Sequence, residues 1–497
     1  MTDKTLSTIA DVLARGSNER VRLPTFARAS LRIGMAHIGV GNFHRGHQVV
    51  YLDDLMEARP DQVGWGYLGI SLLDSASSYD RARAMVAQDD YFTVTEYDPD
   101  GTSQSRILSS IIDYLHAPTD PAAVVHRLTD PAIRIVSLTV SEGGYDIDET
   151  TGEFRIDAPH IAADLQGEHP RTTWGTLVAA LRARRSVGHE PFTILSCDNL
   201  RSNGDTARRS TVGFAEAVDL ELAAWISGNV AFPNSMVDRI APVIDDQLRV
   251  TVNELTGVND AVPVVVESFK QWVVEDEFPT GRPAWEVVGV QLRPDVAAFE
   301  SIKGRMLNAS HVIMSYPSLI CGFEFVNDAA HDDLIRRFIL GFMDRDAIPL
   351  ITPPSDVSLT DYRRSVLERF SNVALPDTLH RIATDGTSKI PIFHRATTEE
   401  LIAKGADTRR EALLIAAFRR YFDGVTDTGR RYEVIEVKMS DADKSLMRSG
   451  DPRDALRSTP FAGWGLLASE SFVATYLAAA GTISQQGMRA AVEQSLV

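Results

Sequence analysis

The chain has 497 residues, 44% hydrophobic and 24% charged, the balance of a globular protein long enough for two folding units. Its 68 acidic residues outnumber 50 basic ones, and the resulting net charge of -18 repels nucleic acid and anionic membranes, which excludes both as expected partners. Two cysteines, Cys197 and Cys321, exclude a disulfide framework and a thiolate metal cluster and fit a reducing, cytoplasmic setting.

The N-terminal stretch MTDKTLSTIADVLARGSNER lacks the apolar core of a signal peptide, so no export signal is expected. No stretch approaches the ~20 apolar residues that a bilayer crossing needs. From residue 35 to 285 short apolar runs alternate with longer amphipathic ones, the pattern of an α/β unit with a largely parallel sheet. MAHIGVG (35–41), WGYLGISLL (65–73), AIRIVSLTV (132–140), FTILSCD (192–198) and VPVVVESF (262–269) read as strands. TWGTLVAALRARRSVG (173–188) reads as a helix, with Leu177, Ala180, Leu181 and Arg184 on one face and a glycine stop. Beyond EFPTGRPAWE (277–286) the pattern turns helical, notably over 331–346, 409–425 and 471–481. These shifts predict an α/β domain over 1–288 and a mostly helical domain over 289–497.

Within the first domain, HIGVGNFHRGHQVVYLDDL (37–55) is a strand, a tight turn at Gly39 and Gly41, and a helix. Such a turn lets backbone approach a pyrophosphate at a helix N-terminus, although here the third glycine of the dinucleotide fingerprint falls at His44 and the next glycine is Gly46. Arg45 either supplements that anion site or stands solvated. Asp74, after the next strand, is the candidate for the adenosine ribose hydroxyls, with Asp80 or a backbone group as alternatives. A carboxylate there repels a 2′-phosphate, and no basic residue follows the strand until Arg81, which favours NAD over NADP.

The second domain opens on FESIKGRMLNASHVIMSY (299–316), read as one helix. At about 100° per residue, Lys303, Glu300, His311 and Asn308 fall within an arc of roughly 140°, and Gly304 on the same arc leaves room for a ligand. A buried lysine has its charged form disfavoured and can accept a proton from an alcohol, the step that accompanies hydride loss from a carbinol carbon. Asparagine amides can hold the oxygen meanwhile, and Asn308 and Asn199, the latter in SCDNLRSNGD (196–205), are such donors. FPNSMVDRI (232–240) offers Asn234, Asp238 and Arg239 to sugar hydroxyls, and LHRIATDGTSKIP (379–391) offers Arg381 and Lys389; each is also readable as a structural ion pair.

Taken together, HIGVGNFHRGHQ, VSLTVSEGGY, SCDNLRSNG, FPNSMVDRI, KGRMLNASH and the 381–389 loop resemble the mannitol dehydrogenase family of long-chain, metal-independent polyol dehydrogenases. The resemblance implies a Rossmann-like N-terminal domain, a predominantly helical C-terminal domain and a substrate site between them. It implies Lys303 as general base, Asn199 and Asn308 as oxyanion donors, and His311 as a substrate-orienting group. It further implies that Glu300 passes the proton to solvent and that Asp238, Arg381 and Lys389 line the polyol site. The expected cofactor set is Gly39, Gly41, Phe43, Arg45 and Glu142 from these stretches, with Asp74 from its place after the second strand. NAD is the implied cofactor, a polyol or ketose of mannitol, arabinitol or sorbitol type the implied substrate, no metal is needed, and a monomer is expected. A hexuronate reductase is the competing reading inside the superfamily, but such enzymes tend to carry lysine where this chain has Gly143 and cysteine where it has Asn234. A non-catalytic NAD sensor is a further alternative, and it has no use for a base such as Lys303.

Overall fold

In the N-terminal unit the apolar runs become short strands that need cover on both faces. The computed structural model describes residues 6–16, 18–148, 151–375 and 377–496. Between residues 33 and 196 lie seven strands: β1 (Ile33–Ile38), β2 (Gly66–Ser71), β3 (Phe92–Tyr97), β4 (Ser103–Leu108), β5 (Ile111–His116), β6 (Ile135–Leu138) and β7 (Thr193–Ser196). Five of them form a wholly parallel sheet in the order β5-β2-β1-β6-β7. Numbered within that sheet this is the order 3-2-1-4-5, five of the six strands of the doubly wound dinucleotide-binding sheet, with its topological switch at β1. Ile38 pairs with Ile70 on one side and Leu138 on the other, which aligns the carboxyl ends of β1, β2 and β6 at one edge. Every residue of β2, β6 and β7 is buried, as a sheet covered on both faces requires.

Four further strands, β8 (Ser235–Asp238), β9 (Val264–Glu267), β10 (Gln271–Val274) and β11 (Gln291–Leu292), help build two three-stranded sheets, β9-β3-β4 and β11-β10-β8, and the two-residue strands Ser7–Thr8 and Val258–Asn259 pair with each other. VPVVVESF is thus a strand as expected, but it pairs with β3 outside the main sheet. After β1 the chain forms the five-residue helix α1 (Asn42–Gly46), breaks at His47 and continues as α2 (Gln48–Ala58). Next come α3 (Ala76–Ala87), α4 (Pro159–Gln166), α5 (Thr173–Ser186) and α6 (Asn203–Val218). The predicted face of α5 is buried throughout, and Arg184 on it donates to the carbonyls of Leu128, Asp130, Ile133 and Glu190.

The chain divides into unit 1, Met1–Asp98 with Thr102–Ala297, and unit 2, Pro99–Gly101 with Ala298–Val497. This moves the boundary from 288 to 297. The cause is packing: Trp285 is fully buried against Trp272 at 4.9 Å between ring centroids, and β11 pairs with β10, so the segment to 297 closes the N-terminal core.

Unit 2 is helical. It includes α7 (Val296–Ile302), a π-helical segment (Lys303–Asn308), α8 (Ala309–Cys321), α9 (Asp333–Phe342), α10 (Leu359–Phe370), α11 (Leu379–Ala383), α12 (Gly386–Ala403), α13 (Arg409–Tyr421), α14 (Glu470–Gln486) and α15 (Met488–Gln494), with further short helices such as Val326–His331 and Asp441–Met447. Helix α8 runs through its middle, buried from Ala309 to Ile320 apart from His311. Two buried polar pairs tie helices together. His394 on α12 lies 3.1 Å from Glu411 on α13 and from the Ala309 carbonyl, and Arg410 on α13 forks onto Asp346 at 2.6 and 2.7 Å. Among the described residues no helix is long and apolar enough to cross a membrane.

Candidate active site

A cavity of about 1040 Å³ opens at the carboxyl ends of β1, β2 and β6 in unit 1, where ligands of open α/β sheets collect. Gly39 and Gly41 form part of its wall. Gly39 has φ +97°, and a Cβ there would lie 2.0 Å from the Thr139 carbonyl oxygen, so only glycine lets the turn sit against the end of β6. At Gly41 the Cβ position is open, its nearest neighbour being the Gly39 oxygen at 3.8 Å, which leaves that backbone approachable. Gly46 does what the third glycine of the fingerprint does. A Cβ on it would meet Val266 at 2.5 Å, so its absence lets α1 press onto β9.

Thr139 and Ser141 are also in the wall, beside the turn. The Thr139 hydroxyl donates to the Gly39 carbonyl at 2.8 Å, pinning turn to strand end. Asp198, at the end of β7, accepts from the Val140 and Ser141 amides at 3.0 and 2.9 Å and from the Tyr145 hydroxyl at 2.7 Å. Burial pushes its carboxyl up. It fixes Ser141 at φ +64°, a left-handed setting rare outside glycine. The sequence reading passed over Asp198, whose only local signal is its place beside Asn199.

The other proposed cofactor residues separate. Arg45 is neither solvated nor part of the cavity wall. Its guanidinium is buried and donates to the Gly41 and Val262 carbonyls and to Asn42 Oδ1, and burial lowers its pKa to about 10. Asp74 is exposed and stands outside the cavity wall, because the strand ends at Ser71 and the wall continues through Leu72 and Leu73. Phe43 is half-buried and stacks on His47 at 4.9 Å, also outside the wall. Glu142 is exposed, next to wall residue Ser141. Arg81, discounted for its distance along the chain, is in the wall: α3 folds it back so that its Nη1 donates to the Val40 carbonyl at 3.2 Å.

Of the polar residues at the ends of β7 and β8, Asn199 is exposed directly after Asp198, and Asp238 is buried within β8. Asn234 and Arg239 are structural. The Asn234 side-chain oxygen accepts the Gly204 amide at 2.9 Å in the first turn of α6, and Arg239 donates to the Glu267 and Gly46 carbonyls and to Glu96.

In unit 2 the predicted single helix is interrupted. Lys303–Asn308 follow i→i+5 spacing, and the Ala309 amide bonds to the Gly304 carbonyl. Each π turn holds an extra residue, so Lys303 and Asn308, roughly 140° apart on an α-helix, move towards the same side. Lys303 is only 9% exposed. Glu300, Asn308 and His311 are half-buried, and the His311 ring stacks on Phe370 of α10 at 4.0 Å. Nothing lies within 4 Å of a Cβ built on Gly304, so the expected space beside the lysine is present. Arg381 is exposed and forks onto Asp377, which raises its pKa. Lys389 donates to the Ile382 carbonyl at 3.0 Å, and burial lowers its pKa.

Comparison with known proteins agrees across nearly the whole chain. Residues 33–287 match the mannitol dehydrogenase Rossmann domain and residues 295–482 the mannitol dehydrogenase C-terminal domain. A polyol:NADP oxidoreductase of Gluconobacter oxydans (strain 621H) is 41% identical over 473 residues, 95% of this chain and 97% of that one. The crystal structure of a D-sorbitol dehydrogenase in substrate-free form matches with a TM-score of 0.90 at 38% identity, covering 98% and 100% of the two chains. Pseudomonas fluorescens mannitol 2-dehydrogenase, solved as a ternary complex with NAD and D-mannitol, matches with a TM-score of 0.88 at 37% identity, covering 99% of each. With both domains matched and identity sustained end to end, the chain belongs to the mannitol dehydrogenase family.

Proposed function

We propose that this dehydrogenase oxidises a secondary hydroxyl of a neutral polyol of the mannitol, arabinitol or sorbitol type to the ketose, with NAD as acceptor and Lys303 as base. The observation that carries the reading is the buried Lys303 at the head of a π-helical turn that brings Asn308 round towards it. Similarity to solved mannitol and sorbitol dehydrogenases supports the substrate class. Gly39, Gly41 and the Thr139–Ser141 strand end would hold the dinucleotide, whose fit is supported by the tight Gly39 turn, the open face of Gly41 and the size of the cavity. NAD, when bound, supplies the two-electron acceptor for the hydride from the carbinol carbon.

Lys303 takes the hydroxyl proton as the carbon–oxygen bond gains double-bond character. Asn308 and Asn199 donate to the oxygen while it carries negative charge. His311, its ring face against Phe370, orients the hydroxyl being oxidised. Glu300, one turn before Lys303 and half-exposed, passes the proton on to solvent. Asp238, Arg381 and Lys389 are assigned to the remaining hydroxyls, with Asp377 steadying the Arg381 fork.

The test is Lys303→Ala, read by steady-state turnover over a panel of C5 and C6 polyols, ketoses and ketouronates, with nucleotide affinity measured in parallel. Loss of a positioned base lowers turnover by ~10²- to 10⁴-fold while nucleotide binding persists. A small amine restores part of the lost rate, as imidazole would for His311→Ala were histidine the base. Near-native turnover of Lys303→Ala across pH overturns the mechanism, and a ketouronate preferred over every polyol overturns the substrate class.

A further inference from the structure

We propose that Asp198 is a positioning residue of the reaction: it ties the wall of the nucleotide cavity to the turn that presents Asn199, so that the cofactor and a donor to the reacting oxygen are set by one carboxylate. The inference rests on the proposed roles of that cavity and of Asn199. The side chain of Asp198 makes the first half of the tie. It is buried, its Oδ2 accepts from the Val140 amide at 3.0 Å and the Tyr145 hydroxyl at 2.7 Å, and its Oδ1 accepts from the Ser141 amide at 2.9 Å. Val140 and Ser141 belong to the cavity wall, and Ser141 has φ +64°, a setting that persists only where its surroundings hold it. Tyr145 is itself buried, and its hydroxyl lies 2.5 Å from Ser196 Oγ of β7, which braces the carboxylate from the sheet.

The main chain of Asp198 makes the second half. Its carbonyl accepts from the Leu200 amide at 2.9 Å, closing a three-residue turn with exposed Asn199 at its centre, and from Asn203 Nδ2 at 3.0 Å. Asn203 is fully buried, donates to the Ser235 carbonyl at 2.8 Å and accepts the Ser235 amide at 2.9 Å, so the far side of the turn is anchored on β8. Only a carboxylate suits this node. Two adjacent main-chain amides point donors at it, whereas the amide of an asparagine has a single acceptor oxygen and would set an N–H group against an N–H group. Three donors also offset the cost of burying the charge. With the carboxylate replaced, the wall and the Asn199 turn shift independently, and a displacement of roughly 1 Å at a reacting centre lowers turnover by about 10²-fold.

The experiment is a double-mutant cycle in the full-length protein, with folding followed by circular dichroism, NAD affinity by calorimetry, and turnover at saturating NAD on the polyol that the unaltered protein oxidises fastest. Asp198→Asn lowers turnover by about 10²-fold and weakens NAD by roughly 2- to 10-fold, the effect of one lost hydrogen bond. Asn199→Ala lowers turnover and leaves NAD affinity as it was. Because Asp198 acts through Asn199, the double variant turns over about as slowly as Asn199→Ala alone. Native turnover of Asp198→Asn, an unchanged affinity for NAD, or losses that multiply in the double variant would make Asp198 a brace of the sheet edge and overturn the proposal. Should Asp198→Asn not fold, Tyr145→Phe removes one of the three donors and carries the same cycle, with a turnover loss of about 3- to 10-fold that disappears beside Asn199→Ala; no loss, or a multiplying one, is again the refuting result. Native turnover of Asn199→Ala faults the oxyanion assignment, and the inference falls with it, whereas a slow Asn199→Ala protein with multiplying losses overturns the inference alone.

Discussion

Acidification should destabilise unit 1 through three histidines that it buries uncharged. His37, His44 and His47 are fully buried, and His37 and His44 stack face to face at 3.4 Å between centroids. Burial lowers His37 and His47 from 6.5 to about 3 and holds His44 well below 6.5. Below pH 6.5 the unfolded chain takes up protons on these rings and the folded chain does not. Their contribution is therefore complete above 6.5 and is lost as the pH falls towards about 3. One pH unit below 6.5, each histidine costs roughly 1 to 1.5 kcal/mol, or about 4 kcal/mol for three. Asp53 and Asp90 act in the opposite sense, because burial raises each to about 6, and the folded state then binds protons that the unfolded chain releases. They return roughly 1.5 kcal/mol at the same pH, leaving a net loss of about 2 to 3 kcal/mol. At about 2 °C per kcal/mol for a unit of this size, the melting midpoint falls by about 5 °C between pH of about 7.5 and about 5.5. Scanning calorimetry at the two pH values checks it, with His44→Leu as control, since removing one titrating ring cuts the histidine part of the loss by about a third. A midpoint that holds or rises on acidification, or a His44→Leu protein with unchanged pH sensitivity, refutes the reasoning.

Gly39→Ala should cost roughly 3 kcal/mol or more and weaken nucleotide binding with it, because the new Cβ meets the Thr139 carbonyl at 2.0 Å on a backbone already at φ +97°. An unchanged melting midpoint and nucleotide affinity count against that account of the turn. In unit 2, Arg410→Leu leaves Asp346 buried and unpaired, both side chains being 1% exposed in the parent, and should destabilise the unit by about 3 to 5 kcal/mol. The double variant with Asp346→Leu should regain much of that loss, and a double variant as unstable as the single one refutes the assignment to the stranded charge.

Four of the five strands of the parallel sheet, β1, β2, β6 and β7, were legible because a strand covered on both faces must be a continuous apolar run, whereas the edge strand β5, IIDYLH, is partly polar and was not predicted. β3 and β4 were missed for the complementary reason. Their residues, FTVTEY and SQSRIL, are partly polar, and only pairing across the sheet identifies them. Helices of unit 2 were found wherever their apolar period was strong, as along α13. The π-helical segment was not, because a period of 3.6 was assumed throughout and no residue in KGRMLN announces a wider turn.

Arginine was the hardest residue to read. Arg45 and Arg239 look like solvated charges until carbonyl partners far along the chain, at Val262 and at Glu267 and Gly46, are in place. Arg81 shows the reverse error: ten residues beyond the end of β2 it looked too remote to matter, and one helix returns it to the glycine turn. For the proposed reacting groups, residue type and order along 300–311 were visible in the sequence, whereas the π-helical turn of Lys303 towards Asn308 needed the fold.

A π turn is what an α-helix becomes when it absorbs one surplus residue without losing its axis. The stretch from Lys303 to Asn308 is therefore constrained by its length as well as by its chemistry. Deleting a single residue there, even the glycine, would let the backbone relax into an ordinary helix and swing everything upstream by about 100° relative to His311, with no polar group removed. Substitution is the gentler change in this segment. Its tolerance to a change of residue and its intolerance of a change of count are separate properties, and the second would be invisible to any scan made by point substitution alone.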